Sequence, residues 1–186
     1  MLAVAVILPL GGCGYNEIID RDEEVKAGWA EVQNQYQRRS DLVPNLVNVV
    51  KGNAQFEKST LESVVEARSK VAGVKVDQST IDDPAKLKQF EEAQQGLTSA
   101  LSRLMVVVER YPDLKATESF RDLQSQLEGT ENRITVARKR YIDSVAEYNK
   151  VVERFPTSIG ASLRHKPLRP TFSVAPGVEK VPEVKF

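Results

Sequence analysis

Cysteine and histidine are nearly missing from this chain: one of each, Cys13 and His165, in 186 residues. A single cysteine excludes a disulfide within the chain, and a lone histidine removes the usual Cys/His metal sets. Net charge is missing too, because 26 Lys and Arg balance 26 Asp and Glu. No global field favours a polyanion, so nucleic acid is not an expected partner. Aromatic residues are scarce, at 6%, which argues against a fold built from strands, where aromatic and β-branched side chains concentrate. The N-terminal apolar run, Met1 to Leu10, is also too short to cross a bilayer, which takes roughly 20 residues.

What is present is charge of interspersed sign laid over apolar stripes of helical period. The length suits one domain with a substantial core. Leu87, Phe90, Gln94, Leu97, Leu101, Leu104, Val108 and Tyr111 recur in steps of three and four, the seam of a bundle or coiled-coil helix. A longer series runs from Phe120 through Leu127, Ile134, Ala137, Tyr141, Val145, Tyr148 and Val152 to Phe155, with Thr130 or Glu131 at a polar step. Ile18, Val25, Trp29, Val32 and Tyr36 line a third stripe; Leu46, Val49, Phe56, Val64, Ala67 and Val71 line a fourth. No comparable stretch alternates with period two. The fold class is therefore all-α: an antiparallel up-and-down bundle of about four long helices over residues 14–156, because short connections force neighbours antiparallel.

The breaks follow from proline and glycine. Pro44 suits the third position of a new helix capped by Asp41, where its missing N–H had no partner anyway; the alternative is a kink in one continuous helix. Gly73 to Asp83 reads as a loop, and Asp83-Pro84 as an N-cap followed by a first-turn proline. Tyr111-Pro112-Asp113 reads as a tight turn capped by Asp113. After Pro156 the helical stripe ends, and Pro167, Pro170, Pro176 and Pro182 punctuate the rest. Residues 157–186 are expected to be an extended tail, with Phe172 and Phe186 packed along the bundle or the last ten residues left without fixed structure.

Residues 1–13 stand apart from the bundle. Met1 to Leu10 has the length of a signal-peptide apolar region, and Leu10-Gly11-Gly12-Cys13 resembles the bacterial lipobox. Cys13 is then the lipidation site. Each buried CH₂ of an acyl chain strengthens such an anchor by about 0.8 kcal/mol. The alternatives are an uncleaved N-terminal membrane segment and an apolar helix packed elsewhere. Tyr15, beside the anchor, suits a membrane interface.

The chain also resembles the LemA family. The likeness rests on Gly12-Cys13-Gly14-Tyr15-Asn16, on Trp29 to Val32, on Gln35 to Val47 with its Arg38-Arg39-Ser40-Asp41-Leu42-Val43-Pro44-Asn45 core, on Glu109 to Lys115, and on Leu127-Glu128-Gly129-Thr130-Glu131-Asn132-Arg133-Ile134. It covers nearly the whole chain in order. The resemblance implies a membrane-anchored bacterial envelope protein with its helical bundle outside the cytoplasm and no enzymatic activity. Some members of the family are linked to membrane shaping.

Several charged residues fall at helical spacing. Glu57 and Arg68 lie about three turns apart, and Glu131 and Arg138 two turns apart, so each pair shares a helix face. With Arg38, Arg39, Asp41 and Asn45 they could form polar layers inside the bundle. A structural ion-pair network that fixes register is the first reading, since a core charge must be paired; a ligand or partner site is the second. A di-metal carboxylate centre would need paired Glu-x-x-His motifs, which a lone His165 cannot supply. The inventory offers no cofactor and no catalytic group, and a tethered scaffold with protein partners or self-association is the expectation. A membrane-remodelling protein that self-assembles on the bilayer is the alternative.

Overall fold

The computed structural model describes residues 13–53 and 56–172. They form α1 (Cys13–Lys51), α2 (Lys58–Gly73), a 3₁₀ turn (Gln78–Ile81), α3 (Pro84–Val108), the single turn α4 (Pro112–Lys115), α5 (Glu118–Glu153) and α6 (Thr157–Leu163). No strand occurs among the described residues. The four longer helices run up and down in turn. Gly28 lies against Tyr141 and Arg39 against Glu131, which sets α1 antiparallel to α5. Glu57 meets Arg110, which sets α2 antiparallel to α3. The all-α bundle expected from the stripes is the architecture observed.

Local chemistry explains most of the helix ends. The Asp83 carboxylate accepts hydrogen bonds from the Ala85 and Lys86 amides, with Pro84 in the first turn. Asp77 and Thr80 close a reciprocal capping box around the 3₁₀ turn, inside the segment expected to be loop. Asp113 does not cap the following long helix. Pro112 instead starts the one-turn α4, and α5 starts afresh at Thr117, whose hydroxyl accepts from the Phe120 amide.

Pro44 is the larger departure. It lies inside α1, and the chain leaves that helix only after Lys51, where Gly52 and Asn53 turn it back. A proline at position 44 cannot donate to the carbonyl of Ser40 four residues earlier. The Arg68 Nε of α2 donates to that carbonyl instead, at 3.0 Å. The freed acceptor is thus satisfied from a neighbouring helix, and the helix continues.

The core falls into two apolar clusters. One gathers Trp29, Tyr36, Phe90, Ile134, Tyr141 and Tyr148 with their neighbours; the other gathers Val43, Leu46, Leu97, Leu104, Phe120 and Leu127 with theirs. Trp29 sits among rings, 5.2 Å from Phe90, 5.5 Å from Tyr141 and 6.1 Å from Phe172. Gly28 lets α1 and α5 approach closely here, since a Cβ on it would lie 3.3 Å from Ser144 Oγ and 3.4 Å from Tyr141 Cα.

Helices α1 and α5 outrun α2 and α3, and their shared end needs another cover. Residues 157–172 supply it. The segment after Pro156 is not extended throughout as expected, because Thr157–Leu163 forms α6 and buries Ala161 against α1 and α5. The chain then climbs along α5. The hydroxyls of Tyr148 and Tyr141 donate to the carbonyls of Pro167 and Pro170, at 3.1 and 3.3 Å. The Asn149 amide brackets Arg169, donating to its carbonyl and accepting from its N–H. Phe172 is buried, as expected; Phe186 lies outside the described residues. So do residues 1–12 of the expected signal segment and the Cys13 side chain.

Candidate functional site

Between the two apolar clusters lies a polar layer. On α1 it falls at Arg39, between Tyr36 and Val43; on α3 at Gln94 and Thr98; on α5 at Thr130 and Glu131, between Leu127 and Ile134. Arg39 is its centre, with 1% of its side chain exposed. Its guanidinium donates to Glu131 Oε1 at 2.6 Å, Thr98 Oγ1 at 2.7 Å, Gln94 Oε1 at 2.6 Å and the Gln94 carbonyl at 3.2 Å. It also lies over the Tyr36 ring, 5.0 Å from the centroid. Charge-assisted bonds from α1 to α3 and α5 fix the mutual register of the three helices, because a slip along any one would strand a buried cation.

Arg138 forms the neighbouring layer. It donates to the Tyr36 hydroxyl at 3.2 Å and to Glu91 at 3.4 Å, and its guanidinium covers the Phe172 ring at 4.2 Å. Arg39, Glu131 and Arg138 all border one cavity of about 420 Å³ between α3 and α5. Glu131 and Thr98 also border the next one along, of about 470 Å³. The two make a groove with the Arg39 layer at their shared wall.

The remaining expected residues are dispersed. Arg68 borders a different cavity, between α1 and α2, and serves the Ser40 carbonyl. Glu57 ends up at the far end of the bundle, paired with Arg110 at 2.7 Å. It precedes α2 as N-cap rather than lying within it, so it does not share a layer with Arg68. Arg38, Asp41 and Asn45 are exposed on the outer face of α1. The same turns that carry Tyr36, Arg39, Val43 and Leu46 inward carry these three outward.

A second buried cluster was not expected. Asp22, 3% exposed, faces Lys26 at 3.1 Å, Lys166 at 3.2 Å and Arg169 at 2.7 Å, and Arg169 continues to Asp82 at 3.2 Å. Burial alone would raise the Asp22 carboxyl, but the hydrogen bond from Lys26 and the charges of Arg169 and Lys166 outweigh it and hold it below its ordinary value. Burial pushes the Tyr141 phenol well above its ordinary value, and that of Tyr148 upward as well. This cluster ties the C-terminal segment to α1 and to the loop before α3. The first layer was signalled in the sequence by polar steps inside apolar stripes, Gln94 on α3 and Thr130 or Glu131 on α5; nothing signalled the second, whose members lie far apart along the chain.

The arrangement sets buried charges against partners. The carboxylate nearest each buried cation is already engaged in an ion pair. Among the described residues no group of three or more His, Cys, Asp or Glu side chains could hold a metal ion. No helix among them is long and apolar enough to cross a membrane.

Known proteins give this architecture a context. A model of the LemA family matches residues 28–186. The magnetosome protein MamQ of Magnetospirillum gryphiswaldense is 27% identical over 158 residues, covering 76% of this chain and 58% of its own length. Protein LemA of Metamycoplasma hominis is 24% identical over 143 residues, covering 77% of this chain and 61% of its own. The chain thus spans less than two thirds of the length of these relatives.

Proposed function

The chain belongs to the LemA family, and from that premise we propose that it is a membrane-tethered scaffold of the bacterial envelope, without catalytic activity, that presents helix faces to protein partners or to copies of itself. The bundle lies outside the cytoplasm, attached through the N-terminus by lipid on Cys13. The observation that carries this reading is the use made of the buried charges. The Arg39 guanidinium ties α1 to α3 and α5, and the Asp22 carboxylate ties α1 to the closing segment, so the interior is fixed in register. The polar outer face of α1, with Arg38, Asp41 and Asn45, is left to meet partners.

Crosslinking through Arg38→Cys or Asn45→Cys in intact cells at native expression tests this. Discrete crosslinked species are expected; recovery of monomer alone would count against the scaffold. Self-assembly on the bilayer is the second reading, favoured by relatives named as magnetosome proteins. It predicts that the tethered protein deforms vesicles at high coverage, whereas unchanged vesicles reject it.

A further inference from the structure

Exposed large apolar residues are not spread evenly over the described residues. Ile19, Val65, Val106 and Val136 stand singly on α1, α2, α3 and α5, but Phe155, Ile159, Leu163 and Leu168 occur within fourteen residues at one end of the bundle. Ile159 and Leu163 are one helical turn apart on α6, and Ala161, on the opposite side of that helix, is the residue buried against α1 and α5. The apolar stripe of α6 therefore faces away from the bundle. Phe155 is 77% exposed and Leu163 76%, more than a folded chain commonly leaves to water in a single cluster.

Two features say what covers it. The first is position. The antiparallel register that sets Gly28 against Tyr141 and Arg39 against Glu131 brings the end of α5, and Phe155 with it, level with the first turn of α1. Cys13 opens that turn, and the apolar run Met1 to Leu10 precedes it. The stripe thus lies beside whatever surface the N-terminus enters. The second is charge. From Glu153 to Phe172 the only acid is Glu153, against Arg154, Arg164, Lys166 and Arg169. Lys166 and Arg169 turn inward to Asp22, while Arg154 and Arg164 are exposed, one before and one after the stripe. Apolar side chains in one row with arginines at its ends are the pattern of an element lying in the headgroup region of an anionic bilayer.

We propose that this end of the bundle is a lipid-docking surface: Phe155, Ile159 and Leu163 enter the bilayer interface and Arg154 and Arg164 meet anionic headgroups, so that the bundle stands on the membrane rather than swinging from its tether. The proposal rests on the tethered reading above but adds a second contact to it.

The test uses the full chain in vesicles of phosphatidylglycerol and phosphatidylethanolamine doped with a doxyl-labelled lipid. A bimane label is placed on Ile159→Cys, on Leu163→Cys and, as a control on the bundle side, on Val106→Cys; the parent chain, treated alike, supplies any signal from Cys13. Strong quenching at both α6 positions with none at Val106 is expected, and it should weaken on pure phosphatidylcholine. Equal quenching on phosphatidylcholine overturns the role of the two arginines. Unquenched α6 labels in a chain that still floats with the vesicles overturn the docked face and leave the tether standing, even if another copy covers that face. A chain that does not float with the vesicles overturns both. The variant with Ile159→Asp and Leu163→Asp, both at exposed positions, should melt as the parent does and lose the quenching of a label on Phe155→Cys.

Discussion

A proline in the middle of α1 makes the Ser40 carbonyl depend on a side chain from another helix, and this dependence can be measured. In the native chain Ser40 is a buried residue whose carbonyl lacks an N–H from position 44 and accepts from Arg68 Nε at 3.0 Å. Removing the arginine strands that oxygen. A hydrogen bond from a charged donor is worth about 1.5–3 kcal/mol, and a stranded acceptor costs a similar amount, so Arg68→Ala should destabilise the chain by about 2 kcal/mol. The Pro44→Ala chain has an amide at position 44 that can donate to Ser40 within the helix. There Arg68→Ala should cost only the packing of its stem, under about 1 kcal/mol. The two substitutions should therefore couple by about 1–2 kcal/mol in a double-mutant cycle, whatever the effect of Pro44→Ala alone. Urea denaturation followed by circular dichroism on the four chains gives the coupling directly. Additive effects, within about 0.5 kcal/mol, would show that Arg68 does not serve the carbonyl freed by Pro44, and the account of the continuous α1 would fall.

Other expectations follow from the same geometry. Glu131 is 44% exposed and Arg39 1%, so removing the acid should cost more than removing the base. Glu131→Ala leaves a buried cation without its carboxylate, with Thr98 and Gln94 as its remaining acceptors, a loss of about 1.5–3 kcal/mol. Arg39→Met leaves the Glu131 carboxylate free to turn to water and strands only the neutral Gln94 Oε1; denaturation midpoints that rank the two in reverse order refute the buried-layer argument. Asp22 has a carboxyl value lowered in the folded chain. Its contribution is therefore full above the unfolded value of about 4 and is lost as pH falls through the lower folded one. Asp22→Asn should flatten the acid limb of the stability–pH curve, and an unchanged limb rejects the assignment. Tyr141 has the opposite sign at the other extreme. Its raised phenol contributes fully below the unfolded value of about 10 and progressively less as pH climbs toward the folded one. Tyr141→Phe should remove part of the alkaline loss seen in chemical denaturation at rising pH.

What sequence could and could not disclose separates along one physical line. Features decided by neighbours in the chain were open to reading: Asp83 capping the Pro84 helix needs only its own next residues, and the apolar stripes need only their own period. Features decided by a partner far along the chain were not. Pro44 looks like a boundary because nothing within a turn can replace its missing amide, and the replacement comes from Arg68, twenty-eight residues beyond the Ser40 carbonyl that it serves. Asp22 and Arg169 are solvated charges by any local criterion; only the fold brings them to 2.7 Å. The adjacent arginines 38 and 39 lie between these cases. Their composition is identical, yet a hundred degrees of helix separates them, and the phase is fixed by Tyr36 three residues before Arg39 and Val43 four after it. That places Arg39 on the buried stripe and Arg38 off it, just as Gln94 keeps its place in the stripe of α3. A polar side chain that keeps the apolar phase is thus a usable mark of an interior layer. The mark needs no partner to be known beforehand, because the period alone states that the group must be buried and therefore must be answered by a polar group on another helix.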